Sequence, residues 1–581
     1  MKNLGVATKL SLFVAFLTTI TVVPQLLDPY NLPKLLILTL GIGVILALTL
    51  REVIVSFIGN QRFIHLVPIS VFALFLSSGI MNTQNYHQIF LGSYQRNLGL
   101  LAYLIFAFFF IIFAANKKLI VAEQFIHLLA ILGALLTVIG YYQRNEALKI
   151  SPAKAAVSVS TTLGNIDMAA AMLGMTATAT IYLLLRSGTK KVLRLILIIS
   201  YYGHYNLLFD SPAKQGRVLM VLGSVLVIGF WLFSRKEFWI RKLAIGYWIG
   251  IINVAILSVF SVFGHGPLRN LFLSESVSIE ERIRFSKAAI AMARDNLLFG
   301  VGVDAFGDWF RRYQTLQDFE AIKAAGAGNV DNPHNVLMHM LATGGLPLLS
   351  FYVLLNVFVL YRSVILFSKF QDKYLAGGVF AVWIAFQAQC LVSIDQVSIT
   401  SWGWIAAGIL VGLSFISSTE SNSKDQKSKI LSTPSHPRSW KLSAVPIFIV
   451  LIQVPTVYLF QVMNNHINLG NSVDKLRITA DQAQIDKNSE SVFKAALSNR
   501  EPYLRVMSVR LLNDFGKVDS MVVLSEDTVK RFPNYFEGWD TLASIYEQTG
   551  RKELSIQPRK KSIELDPLNN ELKRLLAVDK N

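Results

Sequence analysis

Four polar stretches interrupt an otherwise apolar chain and carry the side chains best suited to chemistry. They span residues 91–99, 162–167, 210–217 and 282–347. Arginine is the charged residue that three of them share: Arg96, Arg217, Arg282 and Arg284. A guanidinium stays charged and presents a fork of donors that suits phosphate oxygens. His334 follows Pro333 in the fourth stretch, and an imidazole can take a proton from a hydroxyl near neutral pH. The combination predicts binding of an anionic group together with activation of a hydroxyl.

Each of these residue types has a plainer interpretation that stays open at this point. A histidine at a helix start often serves as a cap, and an arginine near a membrane often anchors a lipid headgroup. Gly300 and Gly302 could cradle a phosphate, but a simple turn is the stronger expectation. Asp210 and Asp304 could orient an arginine, although solvated loop carboxylates are what we expect of both.

Composition indicates a lipid-embedded protein. Of 581 residues, 53% are hydrophobic and only 16% are charged, and the mean hydropathy is +0.47. Soluble domains carry roughly 25% charged residues, so this chain lacks the polar surface to cover itself in water. These values exclude disorder and coiled coil, and the single cysteine, Cys390, excludes a disulfide scaffold.

The net charge of +18 does not indicate a nucleic-acid partner. From His466 onward the chain has 18 Lys/Arg against 17 Asp/Glu, so its last part is nearly neutral. The excess basic charge lies in loops between apolar segments, which is the pattern that sets membrane topology.

Thirteen apolar runs are long enough to predict membrane spans, each needing about 20 residues. They are residues 10–27, 35–50, 63–80, 97–115, 122–141, 166–185, 193–209, 217–234, 243–263, 335–361, 374–394, 398–416 and 442–463. With the N-terminus in the cytoplasm, the inner loops hold 22 Lys/Arg and the short outer loops hold seven. This bias places the loop before His334 and the C-terminal part outside the cytoplasm. Gly344, Gly345 and Pro347 predict a kink in the tenth span.

The chain therefore divides into four predicted parts. They are N-terminal transmembrane helices (1–263), a large extracytoplasmic loop (264–334), C-terminal transmembrane helices (335–463) with a cytoplasmic linker at 417–441, and an extracytoplasmic helical domain (464–581).

The last part resembles a tetratricopeptide repeat. Trp539, Leu542, Tyr546 and Gly550 have the spacing of that motif, and Pro567 closes it as Pro533 closes the preceding one. Such repeats stack helix pairs and expose a concave groove, which predicts a protein partner. A short solenoid that only rigidifies the rest is the alternative.

The fourth polar stretch resembles the signature of the O-antigen ligase and polymerase superfamily. It carries arginines, the turn Gly300-Val-Gly302, and then the pair His334-Asn335 opening a helix that Gly344-Gly345 interrupts. The other stretches resemble further landmarks of that family, and the resemblance covers roughly residues 10–420. The sequence departs from it where Lys214-Gln-Gly-Arg217 replaces a Ser-Arg-Gly arrangement, and in the added repeat domain.

The resemblance implies an all-α polytopic membrane fold, GT-C-like, in the bacterial cytoplasmic (inner) membrane. It implies a glycosyltransferase that moves a glycan from undecaprenyl diphosphate to a hydroxyl of a glycan, lipid or protein acceptor. The implied catalytic residues are His334, Arg284 and Arg217. The implied substrate-binding residues are Arg96, Arg282, Gln215 and Asn335. No cofactor is expected, and no metal, because the loop at residues 28–34 lacks the Asp-x-Asp or Glu-x-Asp pair of metal-dependent relatives.

Two other classes of function remain. A transporter or flippase of lipid-linked glycans also suits many helices and membrane arginines, but no internal repeat appears in the membrane part and the charges cluster at one face. A scaffold that recruits partners through the repeats would need neither the outer arginines nor His334.

Overall fold

A computed structural model describes most of the chain. The described residues are 2–58, 62–82, 85–145, 159–262, 276–324, 330–369, 372–416, 440–479 and 481–579. Within these ranges the protein is all-helical and contains no strand. The predicted all-α fold class is therefore confirmed as helical. The predicted linker at 417–441 lies almost wholly outside the described residues.

The structure describes 23 helices in chain order. The first ten are α1 (Lys2–Ile20), α2 (Asn31–Ile58), α3 (Arg62–Met81), α4 (Tyr86–Leu91), α5 (Leu100–Ala114), α6 (Leu119–Arg144), α7 (Ile166–Leu185), α8 (Lys191–Asp210), α9 (Gln215–Phe233) and α10 (Phe238–Val262). Three belong to the large loop: α11 (Ser276–Asp295), α12 (Phe306–Tyr313) and α13 (Leu316–Ala324). The bundle resumes with α14 (Val336–Lys369), α15 (Lys373–Val392), α16 (Val397–Leu413) and α17 (Trp440–Ile478). The C-terminal domain adds α18 (Gln482–Ser498), α19 (Pro502–Asp514), α20 (Val518–Arg531), α21 (Phe536–Gln548), α22 (Lys552–Leu565) and α23 (Asn570–Asp579).

Seven helices of the described part are long and apolar enough to cross a membrane. They are the segment Asn31–Leu48 of α2, and α6, α7, α8, α9, α14 and α15. Four further apolar helices, in α1, α3, α5 and α16, are shorter. The protein is thus a multi-pass membrane protein by length and composition, while the count of thirteen spans stays a prediction.

The centre of the bundle is formed by α5 and α16, which are buried on nearly every side. The aromatic residues Phe106, Phe109, Phe110 and Phe113 of α5 are all fully buried, and Trp402 of α16 is as well. A helix that is apolar all round is stable when other helices or lipid surround it. These two helices therefore form the core of the bundle.

Small residues let α9 approach α7 closely. A Cβ atom at Gly216 would lie 2.5 Å from the carbonyl oxygen of Ala170, so no larger residue fits there without a shift. Close packing of this kind holds membrane helices together where lipid offers no hydrophobic driving force. It fixes the start of α9, where Gln215 and Arg217 lie.

The predicted kink in α14 is confirmed. Gly345 has φ +72°, a left-handed conformation that interrupts the helix two residues before Pro347. The segment at residues 297–302 forms hydrogen bonds with backbone groups of α14 around this break. Leu346 N–H donates to Leu297 O at 2.8 Å, and Val301 N–H donates to Ala342 O at 2.8 Å. The large loop is thus anchored directly on the broken helix.

The C-terminal domain is a stack of helical hairpins. Pro502, Phe536 and Asn570 begin successive first helices 34 residues apart, and Val518 and Lys552 begin second helices at the same interval. The domain boundary expected at residue 464 falls inside α17, which runs without a break from the bundle into the domain. No Pro or Gly lies between Pro455 and Gly470 to end the helix there.

The domain is docked on the loops at one end of the bundle. Arg311 of α12 pairs with Glu537 at 2.9 Å and with Asp566 at 3.4 Å. On the other side, His87 Nε2 lies 2.6 Å from Glu501 Oε1, and both groups are buried. These contacts place the domain at the same end of the bundle as all four polar stretches.

Candidate active site

The polar stretches meet at one end of the helix bundle. Residues 31–34 bridge the first two stretches, because Asn31 donates to Gln95 O and Lys34 donates to the carbonyl of Thr162. Gln215 Nε2 donates to Asp167 O at 2.8 Å, which joins the start of α9 to the start of α7. The first three stretches are therefore neighbours in space, as their common outward placement predicts.

A buried ionic cluster connects the first stretch to the fourth. Arg96 Nε donates to Asp304 Oδ1 at 2.8 Å, and the Ser93 N–H donates to Asp304 Oδ2 at 2.8 Å. His339 Nε2 lies 3.4 Å from the same Oδ1. Arg96 is 5% exposed and Asp304 is 2% exposed, so the expectation of a solvated Asp304 is wrong. Although burial favours the neutral acid, Arg96 and His339 hold the pKa of Asp304 below its ordinary value.

The backbone around this cluster is strained. Gln95, Asn97 and Asp304 all have positive φ, at 64°, 53° and 51°. Non-glycine residues take this conformation rarely, and such residues persist where surrounding contacts enforce them. Arg96 lies between two of these residues in the chain and donates to the third. Asp210, by contrast, pairs with Arg144 at the surface, as a solvated carboxylate does.

His334 is held at the entrance of α14 by an Asn-Pro-His-Asn turn. It has φ +51°, and its N–H donates to Asn332 Oδ1 at 2.8 Å. Asn335 caps the helix by accepting from Met338 N–H at 3.1 Å, and its Nδ2 donates to Leu391 O at 2.9 Å. The capping role belongs to Asn335, so the imidazole of His334 is free for another task. Within the described residues neither of its ring nitrogens forms a hydrogen bond.

Burial favours the neutral form of His334. Burial lowers the pKa of His334 below its ordinary value. The negative charge of Asp331, and more weakly that of Asp167, raises the pKa. The positive charge of Arg282, and more weakly that of Arg96, lowers it. A neutral imidazole is the form that accepts a proton. The charged groups that act on His334 thus come from α11, the loop before α5 and the start of α7.

The predicted arginines do not all face the same way. Arg284 Nε donates to Asp318 Oδ1 at 2.6 Å, and Asp318 is 1% exposed and also accepts from the Thr315 N–H that opens α13. Arg282 is two residues earlier on α11, which places it on nearly the opposite side of the helix. Arg284 thus ties α11 to α13, while Arg282 lies among the charges that act on His334.

Arg217 lies at the start of α9, half-buried. Its Nη2 donates to Ser211 O at 3.2 Å, its guanidinium lies 5.5 Å from the centre of the Phe209 ring, and its buried Nε has no partner among the described residues. Gln215 is buried beside it, and its Oε1 has no partner in the same part of the chain. Both side chains therefore keep hydrogen-bonding capacity on the face that receives the other polar stretches.

Sequence reasoning missed three further polar residues. His339 lies beside Asp304, and Asp395 is 7% exposed and accepts from Tyr103 Oη at 2.9 Å and Thr400 Oγ1 at 3.2 Å. Burial raises the pKa of Asp395, whose loop joins α15 to α16. A lone carboxylate between two apolar runs is a signal that could have identified it. Asp308, whose pKa burial raises to about 7, lies on α12 and accepts from Gln88.

Metal ligands do not assemble in the described part of the chain. No three His, Cys, Asp or Glu side chains approach one another there as a metal site would require. The expectation of a metal-free site remains untested by this finding.

Comparison with known proteins adds independent support for the family resemblance. No curated protein matches the chain. A family model described as O-antigen ligase matches residues 213–353. The matched segment contains Gln215, Arg217, Arg284, His334 and Asn335, and it runs through the broken helix α14. The match supports membership of the O-antigen ligase superfamily and, broadly, a glycosyltransferase-type enzyme in the membrane.

Proposed function

We propose that this protein transfers a glycan from undecaprenyl diphosphate to an acceptor hydroxyl on the outer side of the cytoplasmic membrane. The observation that carries the proposal is the position of His334. Its ring is free of hydrogen bonds to the described residues, its pKa is lowered by burial, and the charges of arginines from two other segments act on it. The family match over residues 213–353 supports the reaction class.

The proposed reaction needs one base and one anion site. The acceptor oxygen attacks the anomeric carbon of the donor while the bond from that carbon to the diphosphate oxygen breaks. The hydroxyl proton goes to His334, and undecaprenyl diphosphate leaves with the bonding electrons. Arginine neutralises the charge that develops on this leaving group.

Arg217 and Arg284 are the proposed catalytic arginines. Arg217 offers the buried Nε that lacks a partner among the described residues. The Nε of Arg284 is used by Asp318, so its terminal nitrogens would meet the diphosphate. Arg96, Arg282, Gln215 and Asn335 are proposed to bind substrate.

The C-terminal domain is proposed to be extracytoplasmic and tetratricopeptide-like. The 34-residue interval between its hairpins supports the repeat assignment. Its docking on α12 and α4 supports a location on the same side as the site. Thirteen spans in a bacterial inner membrane would give this arrangement, because an odd count places the two chain ends on opposite sides. The groove of the repeats would then receive a protein partner.

The decisive experiment separates donor binding from transfer. Purified protein with undecaprenyl-diphosphate-linked glycan is compared with His334→Gln in single-turnover transfer and in donor binding. Loss of a general base costs about 10²–10⁴-fold in rate, so transfer should fall by that factor while donor binding persists. Arg217→Gln and Arg284→Gln should weaken donor binding, since a hydrogen bond to a charged group contributes roughly 1.5–3 kcal/mol.

His127→Gln is the matched control, because His127 Nδ1 bonds the carbonyl of Glu123 on α6, away from the polar stretches. Equal transfer by His334→Gln and His127→Gln would contradict the base role. The acceptor is tested with two substrates, a lipid A core sugar and a second lipid-linked repeat unit. A ladder of lengthening products with the second substrate indicates a polymerase, and a single product with the first indicates a ligase.

A further inference from the structure

A polar cavity of about 80 Å³ lies where the outer part of α17 meets the C-terminal domain. Its lining includes His87 of α4, Tyr458 and His466 of α17, and Asn499 and Arg500 from the loop before α19. None of these residues belongs to the proposed transfer site. The cavity is therefore a second polar feature on the same side of the protein.

His466 is the unusual group in this cavity. It is 1% exposed, and neither Nδ1 nor Nε2 has a hydrogen-bond partner among the described residues. Burial lowers its pKa to about 4, so at neutral pH the ring is uncharged and offers one donor and one acceptor. Buried polar groups are nearly always satisfied, so these two nitrogens indicate a molecule that completes them.

The rest of the lining is rich in donors. The Asn499 Oδ1 accepts from the Glu501 N–H at 2.8 Å, which leaves its buried Nδ2 without a partner in the described part of the chain. Arg500 lies over the Tyr458 ring at 5.4 Å, and its Nη1 donates to Tyr458 Oη at 3.3 Å. The nearby carboxylate of Glu501 is already used by His87 at 2.6 Å. The free groups are thus a guanidinium, an amide NH₂ and a neutral imidazole.

The position along α17 indicates the depth of the cavity. The side chains of Val454, Val457 and Phe460 are 63%, 53% and 52% exposed, which forms an apolar stripe that ends one residue before Gln461 of the cavity lining. No Asp, Glu, Lys or Arg occurs from 442 to 473. An apolar stripe that gives way to polar and aromatic side chains marks the level of the lipid headgroups.

We propose that this cavity binds the phosphate group of a phospholipid headgroup. Phosphate oxygens accept from the guanidinium of Arg500, the amide of Asn499 and the donor nitrogen of His466. A headgroup hydroxyl or ammonium supplies the donor that the second nitrogen of His466 needs, because a phosphodiester carries no O–H of its own. The site holds the C-terminal domain to the membrane surface beside α17. The proposal does not depend on the transfer reaction.

The test measures lipid binding to the purified full-length protein after removal of bound lipid. Dihexanoyl phosphatidylglycerol is titrated below its micelle concentration, with bound lipid counted by native mass spectrometry. Dihexanoylglycerol, which lacks the phosphate, and inorganic phosphate are titrated in parallel. We expect saturable binding of the phospholipid and none of dihexanoylglycerol. Arg500→Gln and His466→Leu should each weaken phospholipid binding about tenfold or more.

Arg477→Gln is the matched control, because Arg477 is an exposed arginine near the end of the same helix that does not line the cavity. Inorganic phosphate that binds as tightly as the phospholipid, with the same sensitivity to Arg500→Gln, would overturn the lipid headgroup as the occupant and indicate the free ion instead. Equal binding of dihexanoylglycerol, or unchanged affinity in Arg500→Gln, overturns the proposal. Arg500 is exposed, so this variant decides the question even where His466→Leu fails to fold.

Discussion

The ion pair between Arg96 and Asp304 gives the sharpest test of how burial controls the site. Asparagine in place of Asp304 keeps the shape, tolerates φ +51° and still accepts from the Ser93 N–H. It removes the negative charge that faces Arg96, which is 5% exposed and has a buried Nη1 without a partner among the described residues. Breaking a buried pair in this way typically costs about 3–5 kcal/mol, because the remaining charge has no water around it.

A surface pair in the same protein provides the control. Arg144 and Asp210 are only 2.6 Å apart, closer than Arg96 and Asp304 at 2.8 Å, but their side chains are 39% and 54% exposed. Exposed pairs contribute about 0–1 kcal/mol. Distance alone would rank Asp210→Asn as the more damaging change, whereas burial ranks Asp304→Asn far above it.

The assay is thermal unfolding of both variants in detergent, followed by tryptophan fluorescence. At about 1 °C per kcal/mol for a chain of this length, a loss of 3–5 kcal/mol lowers the midpoint by roughly 3–5 °C for Asp304→Asn. Asp210→Asn should change it by about 1 °C or less. The double variant Asp304→Asn/Arg96→Gln should recover part of the loss, since contacting residues couple by about 0.5–3 kcal/mol. Equal midpoints for the two single variants, or strict additivity in the double variant, would refute the reasoning.

Three further predictions concern pH and metal. The lowered pKa of His334 should place the acid limb of kcat/KM below the pH at which an ordinary histidine titrates. Arg282→Gln should move that limb to higher pH and Asp331→Asn to lower pH, and an unmoved limb in both would contradict the assignment. The folded-state pKa of Asp308, about 7, lies above its unfolded value of about 4, so the folded protein holds the proton of this carboxyl more tightly. The resulting stabilisation is present in full below about pH 4 and is lost as pH rises through about 7. Asp308→Asn should therefore raise the unfolding midpoint over that of the parent protein more at pH 8.5 than at pH 5. Transfer should persist in EDTA, and a loss that added magnesium or manganese restores would show that a metal takes part.

Much of the fold follows from the sequence because membrane helices have a simple requirement. Every backbone group must be satisfied within lipid, so long apolar runs become helices and polar stretches fall at their ends. The break at Gly345 was predictable for the same reason, since Gly and Pro within four residues of one another interrupt a helix. The placement of the polar stretches at one end of the bundle follows from counting the runs between them.

Pairing between distant segments was not predictable in the same way. Asp304 and Arg96 are 208 residues apart, and only the close fit of the loop at 92–99 onto the large loop makes one the partner of the other. His339 is concealed in an apolar helix, where a histidine carries no spacing signal. Asp318 is a similar case, because the sequence gives no reason to prefer it over Glu320 as the partner of Arg284.

The two arginines of α11 illustrate what a motif leaves undecided. Arg282 and Arg284 are equivalent in a sequence pattern, yet α-helical geometry sends side chains two residues apart to nearly opposite faces. In the structure the Nε of Arg284 donates to the carboxylate of Asp318, which is 1% exposed. Arg282 is instead among the charges that act on His334. Loss of Arg284 would therefore release α13 from α11 as well as any contact with a diphosphate. A fall in activity in Arg284→Gln alone cannot assign it a contact with substrate. Asp318→Asn separates the two effects, because it breaks the same tie while leaving every arginine in place, and only a larger loss of donor binding in Arg284→Gln than in Asp318→Asn supports a direct contact.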